Sequence, residues 1–266
     1  MFLGNGIRLG AQLRSGGGEP FDPSVLFAND ELGVWYDPSD LSTMFQDTAG
    51  TTPITAGGQT VARINDKSGN GYNATQATAG ARPTYRTDGA RHWLGFDGTA
   101  DFLVTPTVGF NTANEDRVSF FAGVETASGA STGMLVELST GVSTNIFNMT
   151  APNGTGYGWR SAGSAATSDV TVSGFPAPES AVLTGFGHIG IDLSVLRRNG
   201  VQVGTNATNQ FSGPYRNAPI YIGARNGASV FFEGKLFSLI VRGKVTSGEA
   251  ITNTEAHIAG KTGITL

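Results

Sequence analysis

The sequence predicts an all-β protein, a two-sheet antiparallel sandwich with one short helix at its C-terminal end. Three observations predict it. Only 14% of the 266 residues are charged, against about 25% in an average globular chain, which argues against long surface helices. Glycine is abundant, at 39 residues, and is joined by Ser, Thr and Asn, the residues of tight turns between short strands. Apolar side chains recur every second residue in segment after segment.

The elements follow in order. Residues 1–20 are set apart: Phe2, Leu3, Ile7, Leu9 and Leu13 punctuate a glycine-rich basic stretch that ends in Gly16-Gly17-Gly18. A segment so short and glycine-rich builds no core of its own. Two readings stand: a disordered tail, and the sharper one of an arm that orders by docking on a partner, since a solvated tail has no use for five large apolar residues. Residues 21–266 read as one domain without an interior linker or a repeat. A short helix is predicted over Ser24 to Asn29 behind Pro23, then strands in "LGVWYDP" and over Val61 to Ile64, and an edge segment in "RPTYR". "HWLGFDGTADFLVTP" reads as two strands meeting at the Asp97-Gly98 turn.

The middle is almost wholly β. "RVSFFAGVE" alternates Val118, Phe120, Ala122 and Val124 against Ser119, Phe121 and Gly123. "GMLVELS", "NIFNMTAPNGTGYGWRS", "DVTVSGF", "FGHIGIDLSVLRRNGVQVG", "PIYIGA" and "VFFEGKLFSLIVRG" continue the series. Asn153-Gly154 and Asn199-Gly200 mark hairpin turns. "TSGEAITNTEAHIAGKTG" alone is convincingly helical, with a Ser or Thr cap and a stop at Gly260 or Gly263.

The totals also exclude classes of function. A net charge of −4 with scattered basic residues gives no electrostatic footprint for nucleic acid. No apolar run reaches the about 18 residues of a membrane span. Without cysteine there are no disulfides and no thiolate metal sites. The first residues lack the pattern of a signal peptide, so synthesis in a cytoplasm without export by the general route is expected.

Catalytic signatures were sought and not found. No E-x-D-x-E string sets two carboxylates on one strand; the strand acids Glu125 and Glu137 stand alone. His92, His188 and His257 have no paired spacing, and His257 reads as a helix residue near the C-terminal dipole. No G-x-S-x-G elbow is present. "AGKT" at 259–262 lacks the first glycine of a phosphate loop and closes a helix rather than opening one. Asn73, Asn148, Asn153 and Asn206 begin Asn-x-Thr strings, read as turns. Aromatic side chains beside polar ones are the remaining handle for sugar binding: Tyr157, Trp159 and Arg160 near one hairpin tip, Tyr215 and Asn217 in "SGPYRN". For Trp159 an inward, core position is the stronger reading.

Five stretches occur together: "NDKSGNGYNATQ", "LGFDGTADFLVT", "LRRNGVQVG", "YIGARNGASVFFEGKLFSLIVRG" and "EAHIAGKTGITL". In that order they resemble the concanavalin A-like, laminin-G-like jelly-roll superfamily, above all its versions in tailed bacteriophage particles. The resemblance spans roughly residues 30–266. It implies a non-enzymatic virion protein that displays a lectin-like jelly roll at the tail tip, fibre, neck or capsid. The arm would anchor it to other virion proteins, and host-surface glycans are the expected further partner. A free carbohydrate-binding lectin module is the alternative. Neither nucleic acid nor membrane insertion is expected, and a homo-oligomer such as a trimer would suit a fibre or a three-fold site. The family carries an F-D-G-x-D-D-[FY] corner, matched here by "FDGTADF", which in calcium-binding relatives helps hold the ion and implies Asp97 and Asp101 as ligands here. Ala100 replaces the first Asp of the D-D pair, and so Asp97-Gly98 is expected to act first as a structural turn.

Overall fold

A computed structural model describes residues 20–129, 132–152, 154–165 and 167–266. The predicted docking arm, with Phe2, Leu3, Ile7, Leu9 and Leu13, lies outside the described residues, as does Asn153. In chain order the first strands are β1 (Gly33–Tyr36), β2 (Met44–Phe45), β3 (Arg63–Ile64), β4 (Ala74–Thr75) and β5 (Thr84–Thr87). They are followed by β6 (His92–Asp97), β7 (Leu103–Val104), β8 (Val108–Gly109), β9 (Arg117–Thr126) and β10 (Met134–Leu138). Next come β11 (Ile146–Thr150), β12 (Gly156–Ala162), β13 (Thr167–Ser173), β14 (Glu179–His188) and β15 (Leu193–Arg198). The last are β16 (Val201–Asn206), β17 (Asn217–Ala218), β18 (Ile220–Ile222) and β19 (Glu233–Arg242), before the helix α1 (Glu249–Thr262).

The strands form two large antiparallel sheets. Sheet A runs β16-β15-β14-β9-β19-β6-β5, with β1 also paired to β19, and sheet B runs β13-β12-β11-β10-β18-β7-β4-β3-β2. The pair β17-β8 forms a small third sheet. The two large sheets pack face to face over one apolar cluster that includes Phe120, Ala122 and Val124 of β9 and Val136, Met149 and Trp159 of sheet B.

Strict alternation predicts one dry face for β9, yet both are buried. Phe121 joins Val182, Phe186, Ile240, Trp35 and Ile258 in a second cluster on the outer face of sheet A, roofed by α1 and the 3-10 turn Pro23–Phe27. Gly123 sets how closely the helix can approach: a Cβ there would lie 2.2 Å from Thr262 Oγ1 and 2.9 Å from Ile258 Cγ2.

Local signals explain most element ends. The predicted helix behind Pro23 is a 3-10 turn, capped by Asp22 Oδ1 accepting the Ser24 N–H at 2.9 Å. Asn199 and Gly200 both take positive φ, 47° and 78°, the geometry of a type I′ hairpin. The strand foreseen over Val61 to Ile64 shortens to Arg63–Ile64. The helix begins at Gly248 without a side-chain cap, rather than with Ser or Thr, and ends at Gly263 with φ 78°. His257 Nδ1 pairs with the carbonyl of Phe21 at 3.1 Å instead of facing the helix end.

Gly123→Ala is therefore expected to destabilise the fold by about 1–3 kcal/mol, the cost of overpacking. Urea unfolding checks it, and Thr262→Ala in the same chain should recover part of the loss because it removes the nearest clashing atom.

Candidate functional site

The pairing register of sheet B decides which side chains face the core. Val136 lies opposite Met149, Met149 opposite Trp159 and Trp159 opposite Val170. All four are in the central cluster. One residue out of phase, Tyr221 faces Glu137, Glu137 faces Asn148, Asn148 faces Arg160 and Arg160 faces Asp169. Directly opposed residues share a face and successive residues alternate faces, so a polar row crosses five strands on the outer side of the sheet.

Loops turn this row into a groove. One depression of about 160 Å³ is lined by Thr150, Gly158, Thr171, Asn148, Arg160 and Asp169. A second, of about 560 Å³, lies between the loop following β10 and the turn 225–229, and includes Glu137, Ser139, Thr144 and Asn226. Arg160 and Arg225 line both, so they form the saddle between them.

Electrostatics within the groove are uneven. Asp169 takes Arg160 bidentately, Oδ1 to Nε at 2.8 Å and Oδ2 to Nη2 at 2.6 Å. Glu137, with a side chain only 6% exposed, accepts the Asn226 N–H at 2.9 Å and stands 3.6 Å from Arg225 Nε. Burial pushes its carboxyl above the usual carboxylate range, and the positive charge of Arg225 opposes that. Glu137 and Asp169 are three strand spacings apart, about 14 Å between backbones, and Arg160 holds both oxygens of Asp169.

The side chains foreseen as sugar contacts divide. Arg160 sits on the groove face. Tyr157, Trp159 and Tyr215 do not, and as stacking platforms they are corrected by burial, each at 1% exposure or less. Trp159 stacks between Phe120 and Phe147 and donates its Nε1–H to the Phe186 carbonyl at 2.9 Å. The Tyr157 hydroxyl is held by Glu179, and that of Tyr215 lies 2.7 Å from Ser161 Oγ. Asn217 is exposed away from the row, where it bonds to the backbone and hydroxyl of Thr112.

At the corner, Asp97 accepts the N–H groups of Thr99, Ala100 and Asp101 at 2.9, 2.9 and 3.1 Å and the Thr99 hydroxyl at 2.6 Å. It is the structural turn expected of Asp97-Gly98. Asp101 is buried, and its carboxyl is pushed up to about 7 by burial and by the charge of Asp97. Among the described residues no group of three or more His, Cys, Asp or Glu is placed to hold a metal ion. The D-x-S-G-N-G loop is likewise structural: Asp66 accepts the N–H groups of Trp35, Ser68 and Tyr72, and Asn70 donates to the carbonyls of Glu31 and Gly33.

Glu137, Asn148, Asp169 and Arg225 were not foreseen as one site. Three of them carry a faint signal: Glu137 is the lone polar residue of "MLVEL", while Asn148 and Asp169 alternate with the inward Met149 and Val170 in "IFNMT" and "TSDVTVS". Asn148, read as a turn residue, is in mid-strand.

No protein-family model matches the chain, and no curated protein matches it. Solved structures do. The binding domain of botulinum neurotoxin DC in complex with rat synaptotagmin II superposes with a TM-score of 0.59 at 9% identity, over 86% of this chain and 52% of that one. The serotype D ligand-binding domain in complex with N-acetylneuraminic acid gives 0.60 at 10%, over 88% and 52%. A type C structure concerned with cell entry through two ganglioside molecules gives 0.59 at 11%, over 86% and 52%. At such identity the likeness is one of fold, an antiparallel β-sandwich, and the chain spans about half the length of these neighbours.

Trp159→Ala is expected to cost about 3–5 kcal/mol of stability, as for other buried tryptophans. Arg160→Ala, one residue along and on the other face, should stay within about 1 kcal/mol. Denaturant midpoints of the two variants check the assignment of faces.

Proposed function

We propose that this chain is a non-enzymatic, lectin-like binding module that takes a saccharide in the groove on the outer face of sheet B. The observation that carries this is the row Tyr221–Glu137–Asn148–Arg160–Asp169, which lays amide, guanidinium and carboxylate groups on a rigid floor between two loops. Hydroxyl-rich ligands need such fixed donors and acceptors, and strands hold them more firmly than loops do. The bidentate pairing that occupies both oxygens of Asp169 supports binding without cleavage. The neighbouring folds add support at the level of ligand class, since they include structures concerned with gangliosides and with N-acetylneuraminic acid.

The setting we infer is a tailed bacteriophage particle, supported by the ordered motifs that resemble such proteins. The apolar side chains of residues 1–20 suit an anchor to another virion protein. A free lectin module remains the alternative, and the site serves either setting.

Two experiments test this. On a glycan array, Asn148→Ala is expected to lose at least about tenfold in affinity, the worth of one to two hydrogen bonds in a desolvated site, while its urea midpoint stays near that of the unmodified chain. An array with no binder would remove the lectin reading. Deleting residues 1–18 is expected to abolish incorporation into particles without loss of glycan binding; unchanged incorporation would remove the anchor.

A further inference from the structure

The groove's hydrogen-bonding inventory narrows the ligand class. Resting on the saccharide reading, we infer that the preferred ligand is an acidic saccharide, its carboxylate gripped by the guanidinium of Arg225. The two carboxylates on the floor are already engaged. Both oxygens of Asp169 are taken by Arg160, and Glu137 accepts the Asn226 N–H. The Thr144 hydroxyl and carbonyl both receive Arg216. The donors are less occupied. Among the described residues the Arg225 guanidinium forms no hydrogen bond, and its nearest anion, Glu137, is 3.6 Å from Nε. The Arg225 side chain is 48% exposed at the saddle between the two depressions. Asn148, which lines the smaller depression, has no side-chain hydrogen bond among the described residues.

A floor whose carboxylates are engaged and whose Arg225 guanidinium is open favours an anionic ligand. A guanidinium fork meets a carboxylate best, through two parallel N–H···O bonds. Glu137 is a poor competitor for that fork. Burial disfavours its charged form, and its backbone partner Asn226 fixes it on the near side of Arg225. The turn that carries Arg225 is itself well held: the N–H of Arg225 reaches the Ser229 carbonyl at 2.8 Å and the N–H of Ala228 returns to the Arg225 carbonyl at 3.0 Å. Gly227 brings this turn against Phe102 and Tyr221. Arg225 is thus presented from a tight hairpin and not from a loose loop.

The test measures binding of the whole chain to three sets of oligosaccharides: uronate-containing, sialylated, and each of these with its carboxyl groups reduced to alcohols. The expected result is binding to at least one acidic set, lost by about tenfold or more on reduction of the carboxyl, as for a hydrogen-bonded charge. The two acidic arms identify the source. Arg225→Gln should abolish the difference between acidic and reduced forms, and Arg225→Lys should restore only part of it. Glu137→Gln keeps an acceptor for the Asn226 N–H and removes the competing charge, so it should bind the acidic form more tightly. Equal binding of acidic and reduced forms, or unaltered preference in Arg225→Gln, would overturn this inference and leave the saccharide reading intact. Absence of binding to every set would overturn both.

Discussion

The indole of Trp159 crosses from sheet B to sheet A, and the placement of the groove depends on it. Its ring stacks on Phe120 of the opposite sheet and on Phe147 of its own, and its N–H ends on the Phe186 carbonyl. Room for it exists because residue 185 is glycine; a Cβ there would come within 2.6 Å of the ring. A strand has a side-chain period of two, so a slip of one residue in β12 would turn Trp159 outward and Arg160 inward. The first exposes a large apolar surface and the second buries a charge, and both are costly. The register that satisfies Trp159 therefore also fixes Arg160, and through pairing Asn148 and Asp169, on the solvent side.

The sandwich is asymmetric for a second reason. Along its centre, sheet A carries apolar side chains on both faces, and α1 with the Pro23–Phe27 turn covers the outer one. The outer face of sheet B instead carries Glu137, Asn148, Thr150, Arg160, Asp169 and Thr171 between two loops. Helix cover and an open polar face exclude one another on the same strands. The apolar or polar identity of the out-of-phase residues thus decides which sheet is covered and which presents a site.

Much of this was legible in sequence. The alternation of Val118 to Val124, the Asn199-Gly200 turn and the terminal helix each follow from local chemistry, and they emerge nearly where expected. The outward position of Arg160 follows from its adjacency to an inward Trp159. The burial of Phe121 was not legible, because it is imposed by a helix more than 120 residues later in the chain. The row on sheet B was not legible either. Each strand shows only one or two polar residues out of phase with inward apolar ones, and their alignment exists only once four pairing registers are set. Tyr215 and Arg225 lie outside regular alternation, where a single sequence gives no direction for a side chain; the first turned inward to Ser161 and the second outward to the groove.

The charged pair on the floor is better understood as a positioning device than as a source of stability. Arg160 and Asp169 are partly exposed, at 31% and 39% of their side chains, and such pairs contribute about 0–1 kcal/mol. Yet the bidentate geometry links β12 to β13 through the guanidinium and occupies both carboxylate oxygens. The charge of Asp169 is thereby matched at close range, while that of Arg225, 3.6 Å from Glu137, is only loosely matched. On the proposed reading, selectivity comes from the loosely matched charge of Arg225 beside carboxylates that are already engaged. The same fold with a different pairing on β12 and β13 would present a different ligand preference, which is why likeness of fold at about one identity in ten carries no residue of a binding site from one chain to another.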